Sequence, residues 1–514
     1  MKLNDYKPRT DCQNKAFSFT DSLSYITFFV LCLILLHLPF LARYGIHRDE
    51  LLWFSSASRL SFGYPDFAPM VVWFTWLSKG LFGKSIIALR FIPLLCGAGL
   101  IILTGTMVRE LGGRRFAITI SSISLILSPY FARSSHYMSQ ESLAVIFWAA
   151  VSLSVLWGLK NGRGVIWLTL GIVYGLGIMA RHSILIYGVG IIAGLFLTQY
   201  RYHLVGKWLW LSIGMVFLIC LPNLFWQLHN DWATITFLKE ALKGTGNPNL
   251  SEFILGQIFY IGPLRVIICI LGLIFLLRSW IDSHHVLGWA CLVFFLFLAV
   301  TKSKIYYTLP AYTILLAGGS VALEKYITSN FRRKLLIICL LITGTIVLPV
   351  SLPILPLKYV DAYAEAITFD KLKNSFEVTG YYHDMIGWES HATSIHEIYK
   401  QLPKEIQNRC YFLCSNYGQA SALEYFLEFS GRPPVASNHL SWHFWGPPDD
   451  VYDVALALSY SNSWLLKMFD KVILVRYTKP VWLAAEKTIP IWLCLKRKGP
   501  YHQIWPDKMS FKWL

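Results

Sequence analysis

The sequence predicts a mainly α-helical, polytopic integral membrane protein of about eleven transmembrane helices, followed by a small C-terminal extracytoplasmic α/β domain. Three observations carry this reading: the composition, the recurrence of apolar runs, and a change of character near residue 357. Of the 514 residues 55% are hydrophobic and only 15% charged, and mean hydropathy is +0.49. That leaves too little polar surface for a soluble protein of this length.

Apolar runs cover residues 25–41, 85–108, 117–130, 143–159, 165–180, 184–198, 208–226, 253–277, 286–300, 306–323 and 335–352. Several match the roughly 20 residues needed to cross about 30 Å of hydrocarbon, and the shorter ones need tilt or broken geometry. The N-terminal segment carries Lys2, Lys7, Arg9 and Lys15, and the loops 109–115, 160–164, 199–207 and 324–334 are basic as well. A cytoplasmic N-terminus puts all of them inside, as the positive-inside rule requires. The first run has no small-x-small site before Arg43, so it reads as a retained helix and not a cleaved signal. This gives a transmembrane domain over 1–356, with a first outer loop at about 44–85, and an outer domain over 357–514.

The outer third holds 16 of the 29 acidic residues. Its strand-like runs are "RCYFLC" (409–414), "KVILVRY" (471–477) and "IWLCLKR" (491–497), with helical spacing in "ASALEYFLEF". Cys410 and Cys414 are close enough in sequence to pair, but no disulfide framework or metal-type spacing surrounds them, so they read as buried thiols. The net charge of +17 lies mostly in the inner loops, with no basic stripe through a soluble domain, which argues against nucleic acid as a partner.

The basic residues that topology leaves unexplained are more informative. Arg48, Arg133, Arg181 with His182, Arg265, Lys302 and Lys304 all fall on the proposed outer face. Any one of them is explained by snorkelling to the interface. Together they suggest a shared anion, and a phosphate suits Arg and Lys by charge and by donor geometry. Asp49, Glu50, Asp66 and Glu141 lie close to the bilayer on the same face, while Asp231, Glu240 and Glu252 sit in a long polar loop. Carboxylates and cations sharing one cavity suit a reaction on a phosphate ester, with cations holding the leaving group and one carboxylate taking a proton from a hydroxyl. The plain alternatives are a structural carboxylate paired with Arg48 or a helix end for Asp49, a helix-start carboxylate or one paired with Arg133 for Glu141, and a turn residue for Asp66. Tyr306 and Tyr307, beside the lysines, read either as donor-site walls or as an aromatic belt.

The motifs then resemble a known group. "HRDELLWFSSASRLSFGYPDFAPM" (47–70), "FGKSIIALRF" (82–91), "RELGG" (109–113), "LPNLFWQLHNDW" (221–232), "KSKIYYTLPAYTILLAGGSVALEK" (302–325), "IGWES" (386–390), "SNYGQASALEYF" (415–426) and "HFWGPP" (443–448) occur in the order seen in GT-C glycosyltransferases. The resemblance is to the protein O-mannosyltransferase and lipid A aminoarabinose transferase superfamily, bacterial family 39-type, and runs along most of the chain. Ala68 stands where relatives commonly carry a second proline. The resemblance implies a GT-C fold in a bacterial inner membrane and an inverting transfer of a monosaccharide from a polyprenyl-phosphate donor. The acceptor would be an extracytoplasmic glycan, lipid or protein. It implies Asp49 as the base with Glu50 beside it, and Asp66 and Glu141 as acceptor-side or second acids. It is compatible with donor-phosphate contacts from Lys302, Lys304, Arg265, Arg181 and Tyr306.

The resemblance fixes no cofactor and leaves a divalent metal open, since relatives differ in using one. His47, His136 and His182 could approach Asp49 or Glu141, but no HxxxH or HExxH pattern supports a metal site. The stretches "ELLWFSSASRLSF" and "APMVVWFTWLSKGLF" have the makings of interfacial helices framing a lipid entrance. Two other readings are a transporter or lipid flippase, which should show internal repeats, and an O-antigen ligase or polymerase type of enzyme.

Overall fold

The computed structural model describes residues 19–243, 248–279, 281–368, 380–506 and 509–510. The basic N-terminal segment lies outside the described residues. The first part of the chain is helical: α1 (Phe19–His37), α2 (Arg48–Ala57), α3 (Met70–Phe82), α4 (Ile86–Glu110), α5 (Arg115–Ile126), α6 (Pro129–Ser134), α7 (Gln140–Asn161) and α8 (Gly164–Ala180). It continues with α9 (Ile184–Phe196), α10 (Lys207–His229), α11 (Ala233–Lys243), α12 (Leu250–Ile261), α13 (Pro263–Arg278), α14 (Asp282–Val300), α15 (Tyr312–Tyr326) and α16 (Asn330–Val347). Among the described residues six helices are long and apolar enough to cross a membrane, or eight if each of two bent pairs is one span. The chain is a multi-pass membrane protein, and its helix lengths support fewer spans than the eleven expected.

The difference has local causes. The run 253–277 is not one straight helix: α12 and α13 meet at 108°. Gly262 takes φ +99° and Pro263 opens α13, so the peptide N–H that would continue α12 is missing. The run 306–323 begins as a 3-10 turn over Ile305–Ala311, containing Pro310, before α15 starts. Burial then sorts the spans. The α7 window is 78% buried and forms the centre, whereas α1, α10 and α16 at 17–22% present their apolar side chains outward. Such faces belong against lipid. Close approach in the centre uses small residues: a side chain on Gly272 of α13 would collide with the Leu315 carbonyl of α15.

After α17 (Val360–Thr368) the chain forms a compact α/β region with α18 (Gly380–His383), α19 (Trp388–Gln401), α20 (Lys404–Gln407), α21 (Tyr417–Phe426) and α22 (Ser441–Trp445). Its sheet contains β1 (Cys410–Cys414), β2 (Val435–Ala436), β3 (Val454–Leu458), β4 (Phe469–Tyr477) and β5 (Pro490–Arg497), in the order β2-β1-β3-β5-β4. β1 runs parallel to β2 and β3, and β5 runs antiparallel to β3 and β4. β1, β4 and β5 are the three expected strands. β3, "VALAL", escaped because Ala and Leu read as helix formers. Cys410, Cys414 and Cys494 are buried free thiols, in line with the sequence reading.

This region docks on the first loop. Arg59 makes two hydrogen bonds to Glu424, at 2.9 and 2.5 Å, and Lys84 pairs with Glu428 at 2.6 Å. Helix α21 packs along α2. The contact sets the C-terminal region over the acidic start of α2.

Candidate active site

The stretch "HRDE" is a helix start. The His47 side chain accepts from the Asp49 N–H at 3.1 Å, and the Glu50 carboxylate accepts from the His47 N–H at 3.0 Å, a reciprocal capping box. Because Nδ1 of His47 accepts a hydrogen bond, that nitrogen carries no proton. Burial and then Arg48 hold the imidazole well below its ordinary pKa.

One residue along the helix, a rotation of about 100°, separates the two acids into different surroundings. Glu50 is fully buried and receives Arg90 Nε at 2.9 Å and Nη2 at 2.7 Å, together with the Met138 N–H at 3.2 Å. Every oxygen it has is occupied by protein. Glu50, expected beside the base, is held by these partners as the anchor of α2. Asp49, one residue earlier, keeps its side chain 33% exposed. Its Oδ1 accepts from the Tyr417 hydroxyl at 2.5 Å, and Oδ2 carries no hydrogen bond among the described residues. Burial raises its carboxyl above the ordinary carboxylate value and Glu141 pushes the same way, while Arg48, Tyr417 and Arg133 oppose.

Asp66 lies within electrostatic reach of Asp49 and accepts a hydrogen bond from the Ser441 hydroxyl. Burial raises it to about 7, against the pull of the Ser441 bond. The folded state thus holds a proton that the unfolded chain releases near pH 4. Stability falls as pH rises from about 4 to about 7, and the loss is complete above the folded value. Asp66→Asn should remove this slope. We expect its unfolding midpoint in detergent to exceed wild type on the order of 2 °C at pH 8 and to match it at pH 4, by thermal scans at both pH values.

Glu141 opens α7 and pairs with Arg181 at the end of α8, where Arg133 was one alternative partner. The Arg181 guanidinium also faces the rings of Tyr306 and Tyr307, at 5.5 and 4.9 Å from their centroids. Arg133, on α6, lies 4.5 Å from the Tyr381 ring centroid and forms no ion pair among the described residues. Lys302 and Lys304 are exposed on the loop that leads to Tyr306. Arg265 does not join them. It is 1% exposed and donates to the Ser124 carbonyl at 3.1 Å and the Leu340 carbonyl at 3.4 Å, holding α13 to α5 and α16.

Tyr417, Ser441 and Asp384, which pairs with Arg48 at 3.0 Å, all come from the C-terminal region, and sequence reasoning selected none of them. Tyr417 does lie inside the quoted "SNYGQASALEYF". Gly418 behind it is closely packed: a Cβ there would meet the Trp388 ring at 2.9 Å. No group of three or more His, Cys, Asp or Glu able to hold a metal occurs among the described residues. His47 is turned to its own helix start, and His136 packs on His37 with ring centroids 5.6 Å apart. The residues present do not fit a metal site, so no step below runs through one.

What the arrangement offers is a half-buried carboxylate with one unengaged oxygen, held by Tyr417 and within electrostatic reach of Arg48, Arg133 and Glu141. Comparison with known proteins points the same way. Residues 66–226 match the family model described as dolichyl-phosphate-mannose-protein mannosyltransferase. The lipid A galacturonosyltransferase RgtD of Rhizobium johnstonii is 25% identical over 268 residues, 50% of this chain and 56% of that protein. The chain thus spans about half the length of this curated relative. ArnT from Cupriavidus metallidurans superposes with a TM-score of 0.60 in its apo state and 0.58 bound to undecaprenyl phosphate. Each match is 14% identical and covers 92% of this chain and 98% of the other. The fold is the ArnT-like GT-C fold that the motifs imply.

Proposed function

We propose that this GT-C chain transfers a monosaccharide from a polyprenyl-phosphate donor to an acceptor outside the cytoplasm, a lipid A-type glycolipid before other glycans or proteins, with Asp49 as the base. The observation that carries this reading is the Asp49 carboxylate: raised by burial, oriented through Oδ1 by Tyr417, and open at Oδ2. The named partners of its relatives, lipid A and undecaprenyl phosphate, suit the same chemistry.

The acceptor hydroxyl attacks the anomeric carbon as its proton passes to Asp49 Oδ2. A new C–O bond forms on the face opposite the leaving group, so the centre inverts. The bond from that carbon to the phosphate oxygen breaks, and its electron pair stays on the phosphate. A singly charged phosphodiester leaves as a phosphate monoester with added negative charge. In this reading Arg133, Lys302 and Lys304 gain interaction as that charge develops, and such interactions speed the step because they strengthen towards the transition state. Arg181, already neutralised by Glu141, orients the Tyr306 and Tyr307 walls. Glu50 and Arg265 act through structure.

The test offers radiolabelled polyprenyl-phosphate sugars and lipid A to the protein in proteoliposomes. Label reaching the acceptor supports the reading. No transfer with any donor, together with sugar or lipid crossing the bilayer, would replace it with transport. The lysine loop gives a second check: Lys302→Gln with Lys304→Gln should raise donor KM about tenfold and blunt its dependence on salt. Unchanged donor KM at low salt would remove the loop from donor binding.

A further inference from the structure

A second cavity lies beyond the reaction site, at the other end of α2. It has a volume of about 670 Å³ and is walled by the end of α2, by α3 and by the segment after α21. Its charged lining is Arg59, Lys79, Lys84 and Arg432 against Glu424 and Glu428, four cations to two acids. The pairs do not cancel evenly. Arg59 takes Glu424 and Lys84 takes Glu428, while Arg432 comes only to 3.8 Å from Glu424. Lys79 has no carboxylate in salt-bridge range among the described residues and donates to the Ser58 hydroxyl at 2.6 Å. The pocket therefore keeps two positive charges in a partly enclosed space, where they are screened less than on open surface.

The neighbouring groove has the opposite character. It is lined by Leu60, Phe62, Trp73, Phe74, Trp76 and Leu77, with a volume of about 420 Å³. Chain order makes the two adjoin. Ser58 and Arg59 line the charged pocket and Leu60 the apolar groove, and Lys79 follows Trp76 by one turn of α3. Trp76, Leu77, Leu81 and Phe82 are 48–65% exposed, so α3 lies with a bare apolar face, as a helix at the membrane boundary does. A charged pocket continuous with a lipid-level apolar groove matches an amphiphile with an anionic head and hydrocarbon tails.

We propose that this pair of cavities is the acceptor subsite, with the phosphorylated headgroup of a membrane glycolipid held by Lys79, Arg432 and Lys84 and its acyl chains lying along Trp73 and Trp76. The inference rests on the reading of the chain as a transferase. Along α2, at 1.5 Å per residue, Ser58 is about 14 Å from Asp49. A saccharide headgroup anchored here reaches back along the helix and presents a hydroxyl to Asp49 Oδ2. The anchor then sets which hydroxyl is glycosylated, by distance and not by contacts at the base.

The test separates binding from turnover. Detergent-solubilised full-length protein is titrated with radiolabelled lipid A and with the same lipid stripped of phosphate. Wild type should bind the phosphorylated form about tenfold more tightly. Lys79→Glu should abolish that preference, with Arg432→Gln as an independent probe should the first variant unfold at lower temperature. Trp76→Ala should weaken both lipids alike, and Asp49→Asn should bind both as wild type does. Preference retained in both Lys79→Glu and Arg432→Gln overturns the subsite, whatever the transfer assay gives. Preference lost in these variants with no transfer by wild type would keep the subsite and overturn the transferase reading.

Discussion

Asp49→Asn is expected to lower kcat for sugar transfer by about 10²–10⁴-fold while leaving donor KM and the unfolding midpoint close to wild type. The amide has nearly the shape of the carboxylate and can still accept the Tyr417 hydroxyl at Oδ1, so the contact between α2 and α21 survives. What it loses is the ability to take a proton from the acceptor. Single-turnover assays in proteoliposomes, with lipid A in excess, check this directly. Full activity in the variant would remove Asp49 from the chemistry and turn attention to Glu141. The wild-type profile carries a related signature. Burial raises the Asp49 carboxyl, so the acid limb of kcat against pH should fall above the range of an ordinary carboxylate, with activity lost as pH drops through it.

How much of this site the sequence disclosed depends on the range of the interaction. Local rules reach α2: an acid pair after a histidine at a helix start is legible as a cap, and Asp49 stands out through its position in the first loop. Which of two adjacent acids faces the cavity is not legible, because it depends on Arg90, 40 residues away from Glu50 in the chain. The Tyr417 contact spans 368 residues and the Ser441 contact 375, separations at which periodicity and spacing carry no signal. The same limit explains Arg265. Apolar neighbours on both sides mark a costly intramembrane charge, and that cost can be met by a phosphate or by helix carbonyls. Here two carbonyls meet it. The form of the spans was hidden for a different reason: hydropathy sees apolar length, but the 108° turn at Gly262 and Pro263 is a backbone event inside one apolar run.

The ion pair under Asp49 gives the largest expected effect on stability. Arg90→Met should destabilise the protein by about 3–5 kcal/mol, because it leaves Glu50 charged and buried without its partner. The loss extends further than one pair. Arg90 also donates to the Leu41 carbonyl at 2.7 Å and the Gly45 carbonyl at 2.6 Å, tying the end of the first helix to the start of α2. With those bonds gone, the loop carrying Asp49 loses its fixed distance from Tyr417. Equilibrium unfolding in mixed detergent micelles measures the first effect, and kcat of the folded fraction measures the second. The double variant Arg90→Met with Glu50→Gln distinguishes a structural carboxylate from a catalytic one. Removing both charges should restore part of the stability, since neither partner is then stranded, and Glu50→Gln alone should keep kcat within about tenfold of wild type. A kcat for Glu50→Gln as low as that of Asp49→Asn, in protein that unfolds normally, would instead make the acid pair a functional unit, with Glu50 setting the proton affinity of Asp49 through the helix start they share.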